Sequence, residues 1–356
     1  MNNKHTVPEL IQYFKHETAT VIDEQLILEE FQQDHEEQSS VAIKILSVFG
    51  GIFATLTFFG FLLMSGLYDS EVAVLFFGFL CIAGSLAVNK VIRKTITDTS
   101  SICVYMAGHG MIAFGMVEME SNESIICILF IGISLIALYV TQTYVLSFIA
   151  ALTALLSLFA MIFIEEAYNA IHVYVIALTF LLTVVLLNEA KIIRQLGKFS
   201  KLFAPVSMAL IVALVVSLGC FRNNEFESIS IEYIWFSSIA TIAAVVFILS
   251  RILKIYEVEK INTKIAAHAA VGFMLLPTLY SPAIAGALLI LLFCFLINNK
   301  TGLAIGIISF IYFVAQFYYD LHFTLLLKSV ILFSTGIFCL LIYMFIIKKI
   351  ESNEKI

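Results

Sequence analysis

Charged side chains are scarce in this sequence. Asp, Glu, Lys and Arg together account for 13% of the 356 residues, whereas about 25% is usual for a soluble domain. Hydrophobic residues account for 61% of the chain, and its mean hydropathy is +1.01. This balance excludes an ordinary soluble globular protein and predicts an all-α membrane protein with many spans.

The sequence motifs of common enzymes are also missing. The chain has no GxSxG, no Walker A pattern and no GxGxxG, so none of the familiar nucleophile or nucleotide sites is indicated. HExxH and CxxC do not occur, and all six cysteines fall inside apolar runs. We therefore expect no metal site, no disulfide framework and no cofactor. The chain is predicted not to be an enzyme.

Long apolar runs make up most of the chain. A membrane-spanning helix needs roughly 17–25 apolar residues to cross a hydrocarbon core of about 30 Å. The first 40 residues are polar and acidic, so the first apolar run is expected to be a true span and not part of a signal peptide. Twelve runs, some of them short, are predicted to cross the bilayer: residues 45–67, 72–88, 99–117, 125–140, 145–164, 173–187, 204–221, 234–250, 265–280, 283–297, 301–317 and 324–347.

The distribution of basic residues predicts the orientation of these spans. With twelve spans, every cluster of Lys and Arg lies on one side of the membrane, and the opposite loops hold Arg222 as their only basic residue. The positive-inside rule assigns the basic side to the cytoplasm, so both termini are expected there. The clusters are Lys4, Lys15 and Lys44; Lys90, Arg93 and Lys94; Lys191, Arg194, Lys198 and Lys201; Arg251, Lys254, Lys260 and Lys264; Lys300; and Lys348, Lys349 and Lys355.

The N-terminal segment differs from the rest of the chain. Residues 1–40 hold two lysines and nine acidic residues, a net charge of −7. This acidity argues against binding to nucleic acid or anionic lipid. Two interpretations remain open: a solvated pair of short cytosolic helices, or a docking arm for a cytosolic partner protein. The predicted organisation is an acidic arm over 1–44, two membrane halves over 45–203 and 204–347, and a short cytosolic tail over 348–356.

Two spans share a pattern that indicates an internal repeat. The third reads AGHGMIAFGM over 107–116, and the ninth reads AAHAAVGFML over 266–275. His109 and His268 occupy matching positions, and a phenylalanine follows each by five residues. We expect two six-helix halves related in parallel, as in several transporter folds. Chance similarity between spans rich in small residues is the alternative.

His109 lies near the middle of its predicted span. An ionisable side chain at that depth is costly, and it usually faces the bundle interior or a wet cavity. Gly108 and Gly110 flank it, and their lack of side chains is expected to let another helix approach closely. His109 is either a neutral hydrogen-bonding group in a tight helix contact or a proton-relay or substrate-binding group.

Further candidate residues lie at the predicted outer ends of the spans. Glu165 ends the fifth span, where it is either a solvated loop residue or part of a vestibule that concentrates cations. Lys328 lies about one turn inside the twelfth span, below Thr324. Its ammonium group either snorkels to the interface or pairs with a buried carboxylate, which could be Asp320, Glu165 or Glu166.

The segment FYYDLHFTLLLKS, residues 317–329, resembles a C-terminal signature of an uncharacterised bacterial membrane family, domain of unknown function 4401. Tyr318, Tyr319, Thr324, Lys328 and Ser329 are among the residues that carry the signature. The resemblance extends to the acidic arm and the many spans. It implies a multi-pass protein of the bacterial inner membrane and supplies no known activity.

These observations favour a transporter or permease-like protein for a small solute or ion, held in the lipid bilayer. The residues expected to line its route are His109, His268, Tyr318, Tyr319, Asp320, Thr324, Lys328 and Glu165. The alternative is a non-transporting sensor or scaffold that recruits a partner through its acidic arm. Transport requires a polar route that contains His109 or Lys328, whereas a scaffold does not.

Overall fold

The computed structural model describes residues 41–66, 70–91, 95–141, 143–222, 233–255, 261–275, 278–279 and 281–320, with single positions between 326 and 344. Every regular element in these ranges is a helix, which confirms the predicted all-α class. The chain divides into two compact units, Met1–Ser121 and Asn122–Ile356.

The described part of the first unit consists of three long helices. These are α1 (Val41–Met64), α2 (Glu71–Val91) and α3 (Thr95–Glu118). α3 packs along both of the others, and its contact with α2 is the more extensive. A small hydrophobic core is formed by Leu62, Val74, Cys81 and Met111.

The contact between α2 and α3 is close because glycines lie where the helices meet. A Cβ atom on Gly108 would lie 2.7 Å from Cγ1 of Ile82 and 2.9 Å from the carbonyl oxygen of Gly78. A Cβ atom on Gly78 would lie 2.8 Å from Cγ1 of Ile112. Membrane helices approach this closely only where small residues leave room for the backbones. The expected close approach therefore occurs at Gly108 but not at Gly110, where an added Cβ would meet nothing within 4 Å.

The second unit contains nine helices in its described part. They are α4 (Glu123–Val140), α5 (Tyr144–Ile164), α6 (Ala170–Leu187), α7 (Glu189–Leu196), α8 (Phe203–Gly219), α9 (Trp235–Ile255), α10 (Ile261–Leu275), α11 (Pro282–Ile297) and α12 (Lys300–Asp320). Short 3₁₀ turns, Gly197–Leu202 and Cys220–Arg222, flank α8.

α8 is the central helix of this unit. It packs against α5, α6 and α11, and 56% of its span is buried, whereas the other candidate spans are 22–39% buried. Leu210, Ile211 and Leu214 are almost completely enclosed in the hydrophobic core. The surrounding helices expose Phe, Leu and Ile side chains, as expected for helices in contact with lipid.

Local sequence signals account for several of the helix ends. Asn122 precedes α4, and its side chain accepts a hydrogen bond of 2.8 Å from the backbone N–H of Ser124, which caps the helix. Pro282 is at the first position of α11, where its missing N–H costs nothing. Asn298 ends α11 in the left-handed conformation, with φ of 59°. These three residues begin or end their helices at the observed positions.

α7 differs from the spans in length and character. It has eight residues, none of them buried, and it carries Lys191 and Arg194 beside Ile192 and Ile193. A short helix with basic and apolar faces suits the membrane interface. Gly197, with φ of +52°, ends it. Sequence patterning did not predict α7 as a separate element.

Eight helices in the described ranges are long and apolar enough to cross a membrane. Two further apolar stretches are shorter: Phe49–Leu62, which lies within α1, and Pro282–Ile297, which is α11. The first eleven predicted runs all overlap observed helices. The last run, 324–347, and the acidic arm over 1–40 lie outside the continuously described residues. Twelve spans, both termini in the cytoplasm, and a boundary between repeats at 203/204 therefore stay predictions.

The glycine contact generates a stability prediction. Gly108→Ala places a Cβ atom against the Gly78 backbone, so we expect it to lower the free energy of unfolding by about 1–3 kcal/mol. Gly110→Ala is the matched control, because its added Cβ atom meets nothing within 4 Å. Alanine also favours the helix over glycine by about 1 kcal/mol, so this variant should be no less stable than the wild type. Thermal unfolding in detergent micelles measures both changes. Equal melting temperatures for the two variants would contradict the close contact.

Candidate functional site

Polar side chains follow one face of α3 from its start to its middle. Asp98, Ser101, Tyr105 and His109 are spaced by three, four and four residues, which places them on the same side of a helix. Asp98 is half-buried, whereas the other three are buried, and Tyr105 is completely enclosed. At 1.5 Å per residue the row is about 16 Å long.

α2 supplies polar partners to the first half of this row. The Ser85 hydroxyl donates a hydrogen bond of 2.6 Å to the carbonyl oxygen of Ser101. The Asn89 side-chain amide donates one of 3.1 Å to Oδ1 of Asp98. Both α2 residues are buried. The six residues Ser85, Asn89, Asp98, Ser101, Tyr105 and His109 are referred to here as the polar column.

The hydrogen bond of His109 determines which of its two ring nitrogens carries the hydrogen. Nδ1 lies 2.9 Å from the carbonyl oxygen of Tyr105. A carbonyl oxygen can only accept, so Nδ1 carries the hydrogen, and in the neutral ring Nε2 is the basic nitrogen. The rings of Tyr105 and His109 lie 4.5 Å apart between centroids. The imidazole is therefore held in a fixed orientation, with the nitrogen that can take up a proton at Nε2.

The hydroxyl of Ser101 is an unusual feature of the polar column. It is buried and forms no hydrogen bond with the described residues, although its backbone carbonyl accepts from Ser85. Buried polar groups are nearly always hydrogen-bonded to protein or water. This hydroxyl lies between Asp98 and His109 in the row, so the polar column continues from one ionisable group to the other.

His268, the predicted counterpart of His109, lies in α10 of the second unit. Its Nδ1 donates to the carbonyl oxygen of Lys264, four residues earlier, at 2.7 Å, which repeats the His109 arrangement. Its Nε2 lies 2.8 Å from the Ser250 hydroxyl. That hydroxyl also lies 3.0 Å from the carbonyl oxygen of Val246. Both ring nitrogens of His268 are therefore engaged, and the ring is only partly buried.

Glu165 lies at the C-terminal end of α5, with an exposed side chain. Its carboxylate accepts a hydrogen bond from the hydroxyl of Ser124, at the start of α4. The contact ties the two ends of the α4–α5 hairpin together. A vestibule at this position stays a prediction.

The C-terminal candidates are described only in part. Tyr318 is half-buried and Tyr319 is 75% exposed, with their ring centroids 5.8 Å apart at the end of α12. Tyr318 also lines an apolar groove of about 870 Å³ together with Ser329, another residue of the signature. Asp320 is the last residue of α12, but its side chain lies outside the described part. Thr324 and Lys328 lie outside it entirely.

No group of three or more His, Cys, Asp or Glu side chains in the described ranges could hold a metal ion. Five cysteines are described, and all of them are free. The sequence expectation of no cofactor stays a prediction.

Sequence reasoning identified His109 but not the rest of the polar column. Asp98, Ser101 and Tyr105 carry a readable signal, since their spacing continues the helical face of His109. Ser85 and Asn89 carry no such signal, because one sequence does not reveal which face of α2 meets α3. His172, in α6, was also missed as a buried polar group; its Nδ1 lies 2.7 Å from the Ser237 hydroxyl.

Comparison with known protein families assigns the chain to one of them. The family model described as a domain of unknown function (DUF4401) matches residues 41–349. The chain belongs to this family. No curated protein and no solved structure gives a significant match. DUF4401 membership and the apolar helices together describe a multi-pass membrane protein of an uncharacterised family.

The Asn89–Asp98 hydrogen bond generates a second prediction. We expect Asn89→Ala to lower the free energy of unfolding by about 1–3 kcal/mol, because it removes a donor to a partly buried carboxylate. A double-mutant cycle with Asp98→Asn, followed by thermal unfolding in micelles, gives the interaction energy between the two residues. Asn188→Ala is the control, since that exposed side-chain amide donates to the carbonyl oxygen of Val184, four residues earlier in the chain. Fully additive effects of Asn89→Ala and Asp98→Asn would contradict the bond.

Proposed function

We propose that this DUF4401 protein is a transporter-like membrane protein in which His109 takes up a proton. The polar column is the route by which that proton reaches the middle of the membrane. Proton uptake at His109 would drive or accompany the movement of a small solute or ion. The proposal assigns transport and not catalysis.

The observation that carries the proposal is the row of Asp98, Ser101, Tyr105 and His109, of which the last three are buried. Polar and ionisable residues in a span are costly, and they commonly mark proton relays and ion paths. A row used only for helix packing would not need an ionisable group at each end. The fixed Nδ1–H of His109 leaves Nε2 as the nitrogen that can accept a proton.

The basic residues before α3 support a direction for proton entry. The Asp98 end of α3 follows Lys90, Arg93 and Lys94, and the positive-inside rule assigns such loops to the cytoplasm. The proton would therefore enter His109 from the cytoplasmic side. Both termini would lie in the cytoplasm, and the bacterial inner membrane is the location that fits the family resemblance. His268, Tyr318, Tyr319, Asp320, Thr324, Lys328 and Glu165 stay predicted parts of the route.

The competing function is a sensor or scaffold. The net charge of −7 over residues 1–40 favours it, because an acidic cytosolic arm can recruit a basic partner. In that case the polar column would be a packed and dry contact between α2 and α3.

Proton flux into proteoliposomes separates the two functions. Purified protein is reconstituted with a pH-sensitive dye inside the vesicles, and a potassium diffusion potential, negative inside, is applied with valinomycin. We expect the wild-type protein to acidify the interior faster than protein-free vesicles do. His109→Gln should reduce the flux to the protein-free rate, because glutamine cannot take up a proton.

Met106→Leu is the matched control. Met106 lies on α3 but is 59% exposed, and leucine nearly preserves its volume, so the flux should be unchanged. A wild-type protein that is indistinguishable from protein-free vesicles would overturn the proposal and favour the scaffold. A His109→Gln variant as active as the wild type would overturn the role of His109.

A further inference from the structure

A groove in the second unit lies outside the polar column and outside every candidate of the sequence analysis. It has a volume of about 850 Å³ and opens between the C-terminal ends of α6, α9 and α11. This volume falls within the range of roughly 300–1,000 Å³ that is usual for ligand sites. Its apolar wall includes Phe180, Val184, Leu187, Phe247 and Leu296.

The end of the groove near the helix termini is basic. Arg251, Lys254 and Asn188 are its polar lining residues together with Thr183. The Arg251 guanidinium carbon lies 5.5 Å from the centroid of the Phe247 ring, a cation–π contact that holds the charge at the groove wall. No acidic residue is among the described lining residues. The described lining of the groove is therefore basic at this end.

The two kinds of lining are separated along the helix axis. Phe180, in α6, lies eight residues before Asn188, the residue that follows the helix, which corresponds to about 12 Å. Phe180 is 68% exposed and Phe247 is 45% exposed, so the apolar part is open to the hydrocarbon of the bilayer. The occupant that fits both parts has an anionic group at one end and hydrocarbon chains over the next 12 Å or so.

We propose that this groove binds one anionic phospholipid. Its phosphate contacts Arg251 and Lys254, and an acyl chain lies along Phe180, Val184 and Leu187. Basic pockets between membrane helices are known to hold anionic lipid headgroups. Helix C-termini carry partial negative charge and oppose an anion, so the two cations are needed for the site. The proposal does not depend on transport.

Native mass spectrometry of the detergent-solubilised full chain tests the site. Phosphatidylglycerol and phosphatidylcholine with identical acyl chains are titrated separately. We expect one phosphatidylglycerol to bind before any further lipid, and phosphatidylcholine to bind clearly more weakly. Arg251→Gln should weaken phosphatidylglycerol binding by about tenfold, the loss expected for one charge-assisted hydrogen bond.

Two further variants distinguish lipid binding in the groove from attraction of the lipid by surface charge in general. Lys191→Gln removes the same charge from α7, which does not line the groove, and should leave the first phosphatidylglycerol bound. Val184→Trp keeps every charge but fills the apolar wall, and should displace the lipid. Helical content by circular dichroism and elution as a single species verify that each variant is folded.

The outcomes that would overturn the proposal are distinct. Equal losses in Arg251→Gln and Lys191→Gln would mean that surface charge alone attracts the lipid. Retention of the lipid in Val184→Trp would place it elsewhere. Displacement by glycerol 3-phosphate, which has the phosphate but no acyl chain, would mean that the apolar wall contributes nothing.

Discussion

The close approach of α2 and α3 at Gly78 and Gly108 is the contact on which the first unit depends. Backbone atoms and apolar side chains occupy the space that a Cβ atom would need on either glycine, so the helices share a continuous buried surface. Polar groups in a membrane must find partners inside the protein, because lipid offers none. The α2–α3 surface shields Ser101, Tyr105 and His109 from lipid and allows them to be polar.

The direction of its hydrogen bond determines which nitrogen of the buried His109 ring is basic. His109 and His268 both donate from Nδ1 to the carbonyl oxygen four residues earlier, so each neutral ring has Nε2 as its basic nitrogen. Ser250 already lies against Nε2 of His268, and that ring is partly exposed. His109 is instead at the inner end of a buried row that begins at Asp98. The two histidines share a local geometry and differ in their surroundings.

Much of the helical architecture could be predicted from sequence, because the length and apolarity of a span are properties of the chain itself. The depth of His109 followed from the same count. Which faces of two helices contact each other could not be predicted. Gly108 and Gly110 look equivalent in sequence, yet only Gly108 contacts α2. Ser85 and Asn89 remained hidden for the same reason, since their roles depend on a partner helix.

A proton route along the polar column requires that water reaches His109. Cysteine labelling tests this access, since only a hydrated thiol reacts readily. Single cysteines are placed at positions 101, 106 and 109 in a cysteine-free background. The protein, in oriented vesicles, is then treated with a membrane-impermeant thiol reagent. We expect labelling at 101 and 109 from the side of the basic loops, and none at 106, which faces outward. A cysteine at 109 that stays as unreactive as one at 106 would contradict it.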